Sequence, residues 1–279
     1  MIKRIFLFFL AIIIAPLLIL GYARFIEPNL LTVKSFTIQT KNPIQPCTVI
    51  YFTDTHFGKY YDVSHAKSIV KKINKAQPDV VIFGGDLLDN YARDNGTMDF
   101  DYLREELSKI EAKAGKYAVW GNHDYGGGAV RIYQDFMESC GFRILDNESV
   151  ELENYGIRVI GYDDYLMGWT DPAFYQIKSS LFNVIAAHEP VVSQFIENGS
   201  ENLMLSGHTH GGQVTIPFVK KDYLPDGSGK FLKGFYTQEE IGTEADLQMY
   251  TSSGIGMTRY PLRFLNVPEI IRINLRSQE

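Results

Sequence analysis

Hydrophobic positions along the chain fall into three regimes. Residues 5–20 form an unbroken apolar run behind Lys3 and Arg4, with Pro16 its one irregular member. Residues 26–46 are mixed, hold Pro28, Pro43 and Pro46, and read as a stalk with room for one early strand. From Cys47 onward, short β-branched and aromatic runs alternate with stretches of helical period. The runs at 47–53, 80–83, 117–120, 143–145, 150–152, 157–160, 182–187 and 202–206 predict strands. Between them, Ser64 can open a helix through 77 that places Ala66, Ile69, Val70 and Ile73 on one face, and Pro78 stops it. Further helices are expected at 99–110, at 130–138 and after Pro190, whose fixed φ suits a first turn. Such alternation predicts an α/β layered domain with sheets buried on both sides.

The N-terminal run spans roughly 24 Å as a helix, a little short of a bilayer core of roughly 30 Å. Gly21 and Tyr22 can extend it, and Tyr22 and Arg24 suit an interface. The favoured division is therefore a membrane anchor or signal segment at 1–26, a linker at 27–46 and the functional domain at 47–279. A cleaved signal peptide is the second reading, because Gly21 and Ala23 form a small-x-small pattern. A buried helix is the third, and the lack of any polar face opposes it. Lys3 and Arg4 favour a cytoplasmic N-terminus, while Arg24, Lys34 and Lys41 pull the other way. The expectation is a single-pass or signal-anchored protein of the cell membrane with its main domain extracytoplasmic.

Charge narrows the partners. Lys plus Arg is 27 against 33 Asp plus Glu, a net −6, so the basic footprint of a nucleic-acid binder is missing and no nucleic acid is expected. Hydrophobic residues at 45% and charged residues at 22% fit a globular chain and exclude a disordered tail. Cys47 and Cys140 build neither a disulfide framework nor a paired metal motif.

The residues with chemistry lie just beyond strand ends. Asp54-Thr-His56 follows the first run, Gly84-Gly-Asp86 the second and Gly121-Asn-His-Asp124 the third. His188 and Gly207-His-Thr-His-Gly211 follow two later ones, so five of the six histidines sit at such ends. Carboxyl ends of neighbouring strands converge on one crevice, where ligands are commonly placed. Asp-x-His and Gly-Gly-Asp are each ordinary turn sequences when met alone. Two histidines flanked by glycines have little use in a purely structural loop. Imidazole mixed with carboxylate suits Mn²⁺, Fe or Zn²⁺, and the absence of thiolates opposes a structural zinc site.

With all five motifs in this order, the sequence resembles the calcineurin-like metallophosphoesterases from Thr48 to the C-terminus. The resemblance implies a four-layer α/β/β/α sandwich and a centre of two divalent metal ions, with Mn²⁺ preferred over Fe or Zn²⁺. It implies Asp54, His56 and His210 on one ion, Asp86 bridging both, and Asn122, His188 and His208 completing the second. It further implies that His123 faces the phosphate as a catalytic residue, with Asp124 orienting it. Two such ions about 3.5–4 Å apart lower the pKa of a shared water and clamp phosphate oxygens.

The segment Gly207-His-Thr-His-Gly-Gly-Gln213, with Ser253-Gly-Ile-Gly256, Pro261-Leu-Arg-Phe264 and Pro268-Glu-Ile270, is similar to a membrane-anchored bacterial branch. That branch includes UDP-2,3-diacylglucosamine pyrophosphatases and phosphodiesterases with unassigned substrates. The implied activity is hydrolysis of a phosphodiester or pyrophosphate bond in a phosphate-ester substrate, a lipid-linked one such as UDP-2,3-diacylglucosamine being one option, and these motifs locate the family rather than the substrate. The alternatives are a general phosphodiesterase or phosphatase acting on a soluble or cell-envelope ester, and a non-catalytic metal-binding module of the same fold. His65 opens a helix and reads as a surface or packing residue, Asp89 as a hydrogen-bond acceptor behind the site, and Asp163-Asp164 as a turn. Residues 217–240 interleave Phe218, Tyr223, Phe231, Phe235 and Tyr236 with Lys220, Lys221, Lys230 and Lys233. They read either as a loop that meets anionic head groups or as a packed hairpin with solvated lysines. The oligomeric state is not legible.

Overall fold

The computed structural model describes residues 2–171, 180–197, 199–216 and 224–278. In chain order its strands are β1 (Thr32–Thr40), β2 (Cys47–Phe52), β3 (Val80–Phe83), β4 (Gly115–Ala118), β5 (Arg143–Ile144) and β6 (Glu148–Leu152). They continue with β7 (Ile157–Gly161), β8 (Phe182–Ala186), β9 (Asn202–Ser206), β10 (Gly234–Tyr236), β11 (Leu247–Thr251) and β12 (Glu269–Ser277). The helices are α1 (Ile2–Gly21), α2 (Ala66–Lys75), α3 (Tyr91–Asp94), α4 (Phe100–Ser108), α5 (Asn122–Gly126), α6 (Tyr133–Ser139) and α7 (Gln238–Ile241).

Two six-stranded sheets result, ordered β1-β12-β2-β3-β4-β5 and β10-β11-β9-β8-β7-β6. Strands β2 to β5 run parallel in the first, and β11, β9, β8 and β7 run parallel in the second. Period-two alternation explains how each sheet is buried on both faces. In β2, Ile50 and Phe52 pack with Ile69 and Ile73 of α2 and Leu103 and Leu107 of α4. Their neighbours Val49 and Tyr51 point the other way, against Val159, Val184 and Leu205 of the second sheet. The outer face of that sheet, with Ile185, Met204 and Met249, is covered by Val192, Ile196, Phe231 and Ile241. The protein is thus a mixed α/β fold built on two sheets. Cys47 and Cys140 are free and buried.

The expected linker is part of the fold. Over its whole length β1 pairs in parallel with β12, from Thr32↔Glu269 to Thr40↔Ser277, so the two ends of the chain close one edge of the first sheet. Strands β11 and β12 also went unnamed in the pattern, and the segment after Pro190 is a 3₁₀ turn, Pro190–Phe195, rather than an α-helix. Of the expected loop at 217–240, residues 217–223, with Phe218, Lys220, Lys221 and Tyr223, lie outside the described residues. The remainder is packed: it contains β10 and α7, Phe231 is buried, and Lys233 Nζ donates to Asn266 Oδ1 at 3.0 Å.

Helix α1 is not a core helix. Its described large side chains, among them Phe6, Ile13, Leu17 and Leu18, are exposed, and by length and composition it can cross a membrane. Its foot is nonetheless fastened. The Ala23 carbonyl accepts the Arg263 N–H at 2.9 Å, the Tyr22 ring meets Phe264 edge-on, and Glu27 is fully buried.

Candidate metal centre

Each strand delivers its polar residues at the point where its ladder stops. Asp54 and His56 follow β2, Asp86 follows β3, Asn122 and His123 open α5 after β4, His188 follows β8, and His208 and His210 follow β9. The backbone there is bent out of the ordinary regions. Asp54, His56, Asp86, His208 and His210 have φ of 53°, 41°, 59°, 68° and 51°. Left-handed non-glycine residues cost about 1–3 kcal/mol each and persist where surrounding structure over-determines them. Here glycines supply the room. A Cβ on Gly207 would collide with the Asp54 carboxylate, and one on Gly121 would collide with that of Asp86.

The side chains converge. Asp86 Oδ2 lies 3.3 Å from His56 Nε2 and 3.2 Å from His188 Nε2, while its Oδ1 accepts the His123 N–H at 2.8 Å. Asp54 Oδ1 faces His210 Nε2 at 3.5 Å and His56 Nε2 at 3.9 Å. On the far side His208 Nδ1 faces Asn122 Oδ1 at 3.0 Å. All seven expected ligand positions therefore share one crevice.

Hydrogen bonds to the outer ring atoms say what the inner atoms can do. His188 Nδ1 donates to the Gly84 carbonyl at 2.7 Å, which leaves Nε2 to face the Asp86 carboxylate, a pairing that needs a proton or a cation between the two atoms. His208 Nε2 donates to the Asp226 carbonyl at 2.6 Å, which leaves Nδ1 as a lone pair aimed at Asn122 Oδ1. His56 Nε2 and His210 Nε2 face each other at 2.8 Å. Lone pairs pointing at lone pairs and carboxylate oxygens repel unless protons or cations stand between them. Outer bonds that fix the tautomer are also how metal-binding imidazoles are held. The donor set therefore fits divalent cations. Ligand atoms of Asp54, His56 and His210, and of Asp54, Asp86 and His188, lie within 4.8 Å of one another.

Titration behaviour shows the same crowding. Burial raises the Asp54 carboxyl, with Asp86 adding to it. Burial also presses on Asp86, yet the charges of His188 and His123 outweigh it and hold that carboxyl well below the usual range. Burial opposes charge on His56, but Asp86 and Asp89 lift it to about 9. For His208, burial and then His188 lower it to about 3. Adjacent groups are driven in opposite directions because burial opposes charge on all of them while close neighbours of opposite or like charge decide which way each one moves.

Asp124 requires a correction. It was expected to orient His123, but its carboxylate accepts the backbone N–H groups of Asp86 (2.8 Å), Leu87 (3.0 Å) and Gly121 (3.1 Å). The His123 ring is held instead by the Asp89 carbonyl, 2.7 Å from Nδ1. Successive residues on a helical turn do not face each other, and the two sit together in α5. Asp124 is buried and ties the Asp86 turn to the Asn122 turn.

Among the other expectations, Asp89 does lie behind the site, 3.5 Å from His56 Nδ1 and 2.7 Å from Arg93. His65 stacks on Tyr61 and contacts Asn29 Oδ1 at 2.9 Å, a packing role. Asp163 and Asp164 accept backbone N–H groups of a turn through Trp169. Sequence reasoning passed over Glu189, buried beside His188, and Arg263, a fully buried arginine. Arg263 donates to the carbonyls of Gly256, Ser253 and Asn266 at 2.7–3.1 Å, and its Nη2 abuts His210 Nδ1 at 3.3 Å. Burial lowers its pKa to about 10. Its one signal was its place inside Pro261-Leu-Arg-Phe264.

Residues 47–212 match the family described as Calcineurin-like phosphoesterase. The chain belongs to that family. It is a metal-dependent phosphoesterase. The Bacillus subtilis protein named uncharacterized metallophosphoesterase YkuE is 31% identical over 268 residues, covering 92% of this chain and 90% of its own. The Escherichia coli phosphodiesterase YaeI is 24% identical over 260 residues, covering 91% and 92%. A crystal structure of a dimetal phosphatase from Danio rerio covers 77% of this chain and 88% of its own, at 11% identity and a TM-score of 0.48.

Proposed function

We propose that this metallophosphoesterase hydrolyses a phosphodiester or pyrophosphate bond with two divalent ions, Mn²⁺ by preference. Asp54, His56 and His210 would hold one ion, Asn122, His188 and His208 the other, and Asp86 would bridge them. The observation that carries this reading is the placement of Asp86 Oδ2 between His56 Nε2 and His188 Nε2, at 3.3 and 3.2 Å. When bound, the ion pair supplies an activated water and Lewis-acid contacts to the phosphoryl oxygens. His123 is left for the substrate: its Nδ1 is held by the Asp89 carbonyl and its half-buried ring lines the opening. When the ring carries a proton on both nitrogens, its Nε2–H can meet the charge developing on the phosphoryl group or pass that proton to the leaving oxygen, with Nδ1–H still on the Asp89 carbonyl. Asp124 acts through the backbone, fixing the turns that present Asp86 and Asn122. A four-layer α/β/β/α sandwich is the arrangement we assign around this centre, supported by the helices on the first sheet and the covered outer face of the second.

For the whole chain we propose that residues 1–26 anchor the protein in the cell membrane, that the catalytic domain is extracytoplasmic, and that the substrate is lipid-linked. Support comes from exposed Phe25, Ile26, Leu30 and Leu265 at the foot of α1, and from Tyr260, exposed at the mouth of the crevice on the loop that holds this foot. These side chains would keep the opening at head-group level. The test is hydrolysis of bis-p-nitrophenyl phosphate by protein loaded with Mn²⁺, Fe²⁺ or Zn²⁺, followed by the same assay on vesicles containing a phosphodiester lipid. No hydrolysis with any metal overturns the enzyme reading, and turnover confined to soluble diesters overturns the lipid one.

A further inference from the structure

Three residues around the crevice share a rare device. His208, Gln213 and Arg259 each sit at positive φ, 68°, 54° and 59°. Each is also the centre of a three-residue turn closed by a bond from the following N–H to the preceding carbonyl. The bonds are Thr209 to Gly207 at 2.7 Å, Val214 to Gly212 at 2.5 Å, and Tyr260 to Thr258 at 2.6 Å. Such γ-turns with positive φ are rare and strained. At His208 the strain aims a candidate metal ligand.

At Arg259 the strain is enforced by a dedicated clamp. Gln213, largely buried, accepts the Thr258 N–H at 2.9 Å and donates to the carbonyls of Thr258 at 3.0 Å and Tyr260 at 2.8 Å. Its amide thus grips the residues on both sides of Arg259. The guanidinium itself is exposed, lines the same opening as His123 and His208, and has no hydrogen bond or ion pair among the described residues. Among the described lining residues it is also the sole Lys or Arg. A backbone held this firmly beneath an uncommitted cation is a binding feature awaiting its anion.

Where Arg259 stands decides which anion. Six of the seven candidate metal ligands are buried at the crevice floor and Asn122 is half-buried, whereas Arg259 is exposed at the rim beside Tyr260, Leu224 and Pro225. An oxygen of the scissile phosphoryl belongs on the floor, so a rim guanidinium reaches a neighbouring group. Resting on the phosphoesterase reading above, we propose that Arg259 selects substrates bearing a second anionic group beside the scissile phosphoryl, and that Gln213 is its positioning residue. A planar guanidinium suits a phosphate or carboxylate, and the apolar rim accommodates an uncharged substituent.

Two phosphonates isolate the second charge: methylphosphonate has the phosphoryl-like head alone, and phosphonoacetate adds a carboxylate. Their dissociation constants are measured by calorimetry on the intact metal-loaded protein, so the readout does not depend on turnover. The wild type should prefer phosphonoacetate by about tenfold or more, the scale of one charge-assisted contact. In Arg259→Ala that ratio should collapse towards one, Arg259→Lys should recover part of it, and Gln213→Leu should lower it with Arg259 still present. Melting temperature and metal content report folding for each variant. A ratio unchanged in Arg259→Ala, or equal binding of both ligands by the wild type, overturns the proposal. Absence of bis-p-nitrophenyl phosphate hydrolysis by the wild type overturns the phosphoesterase reading instead.

Discussion

The carboxylate of Glu27 accepts the backbone N–H of Asn266, 239 residues further along the chain. Its second oxygen accepts the N–H of Leu265 at 2.9 Å. The Asn266 side chain in turn donates to the carbonyl of His210, and the Asn266 carbonyl accepts from Arg263 at 3.1 Å. The foot of the apolar helix is therefore bonded to the loop that backs a candidate metal ligand. Deleting residues 2–21 spares this contact, and deleting residues 2–31 removes it. The shorter truncation should melt and bind metal as the full chain does. The longer one, and Glu27→Ala, should lose about 1–3 kcal/mol for each buried N–H left without a partner. At about 2–4 °C per kcal/mol, differential scanning calorimetry resolves the difference. Equal melting of both truncations would show that the contact contributes nothing.

In the proposed centre Asp86 would serve both ions, so Asp86→Asn should lower bound metal and rate together. The variant keeps the volume and one acceptor oxygen but loses the charge that offsets two dications. Elemental analysis should fall from two ions per chain towards none, with hydrolysis falling in parallel. A variant that retains two ions and wild-type turnover would remove Asp86 from the bridging position.

What could be read before folding was local. Asp54-Thr-His56 and Gly207-His-Thr-His-Gly211 declare themselves because strand end, turn glycine and ligand lie within a few residues. The pairing of β1 with β12 is invisible at that range: Val33 and Ile270 are register partners across almost the whole chain. Arg263 was missed because an arginine among Pro, Leu and Phe reads as solvated, and its burial depends on four carbonyl contacts made by folded loops. The role of Asp124 is not legible from its neighbour, because adjacency to His123 in sequence is not adjacency of the two side chains in space. On a helical turn, neighbours point apart.

Asp79 couples stability to pH away from the centre. It accepts the Thr48 N–H at 2.7 Å, the Lys113 ammonium at 2.9 Å and the Tyr155 hydroxyl at 3.3 Å, joining the first sheet to the second. Burial alone would raise its pKa, but Lys113 and the Thr48 N–H outweigh it and lower the carboxyl below its ordinary value. A depressed folded pKa means stability that is present above the unfolded value, about 4, and lost as pH falls through the folded one. Asp79→Asn should therefore cost about 1–2 kcal/mol at pH 7, Lys113 being mostly exposed and screened. The gap between the two proteins should narrow below about pH 4. Urea titrations at pH 7 and pH 3 check this, and a constant gap would refute the charge-based account.

The role given to His123 can be separated from metal binding. Its Nδ1 is engaged by the Asp89 carbonyl and its backbone N–H by Asp86 Oδ1, so deleting the ring leaves the Asp86 carboxylate and its backbone bond in place. His123→Ala should hold metal near the wild-type content yet slow turnover by about 10²–10⁴, the usual range for a lost general acid or base. The leaving group sharpens the test. A nitrophenolate departs readily without a proton, whereas an alkoxide does not. If Nε2 protonates the leaving oxygen, the loss should be larger for an alkyl diester than for bis-p-nitrophenyl phosphate. If it only stabilises charge on the phosphoryl group, both substrates should suffer alike. Loss of one metal ion in the variant would make His123 a ligand, a role its ring could fill together with His56 and Asp89, whose ligand atoms lie within 4.8 Å of it.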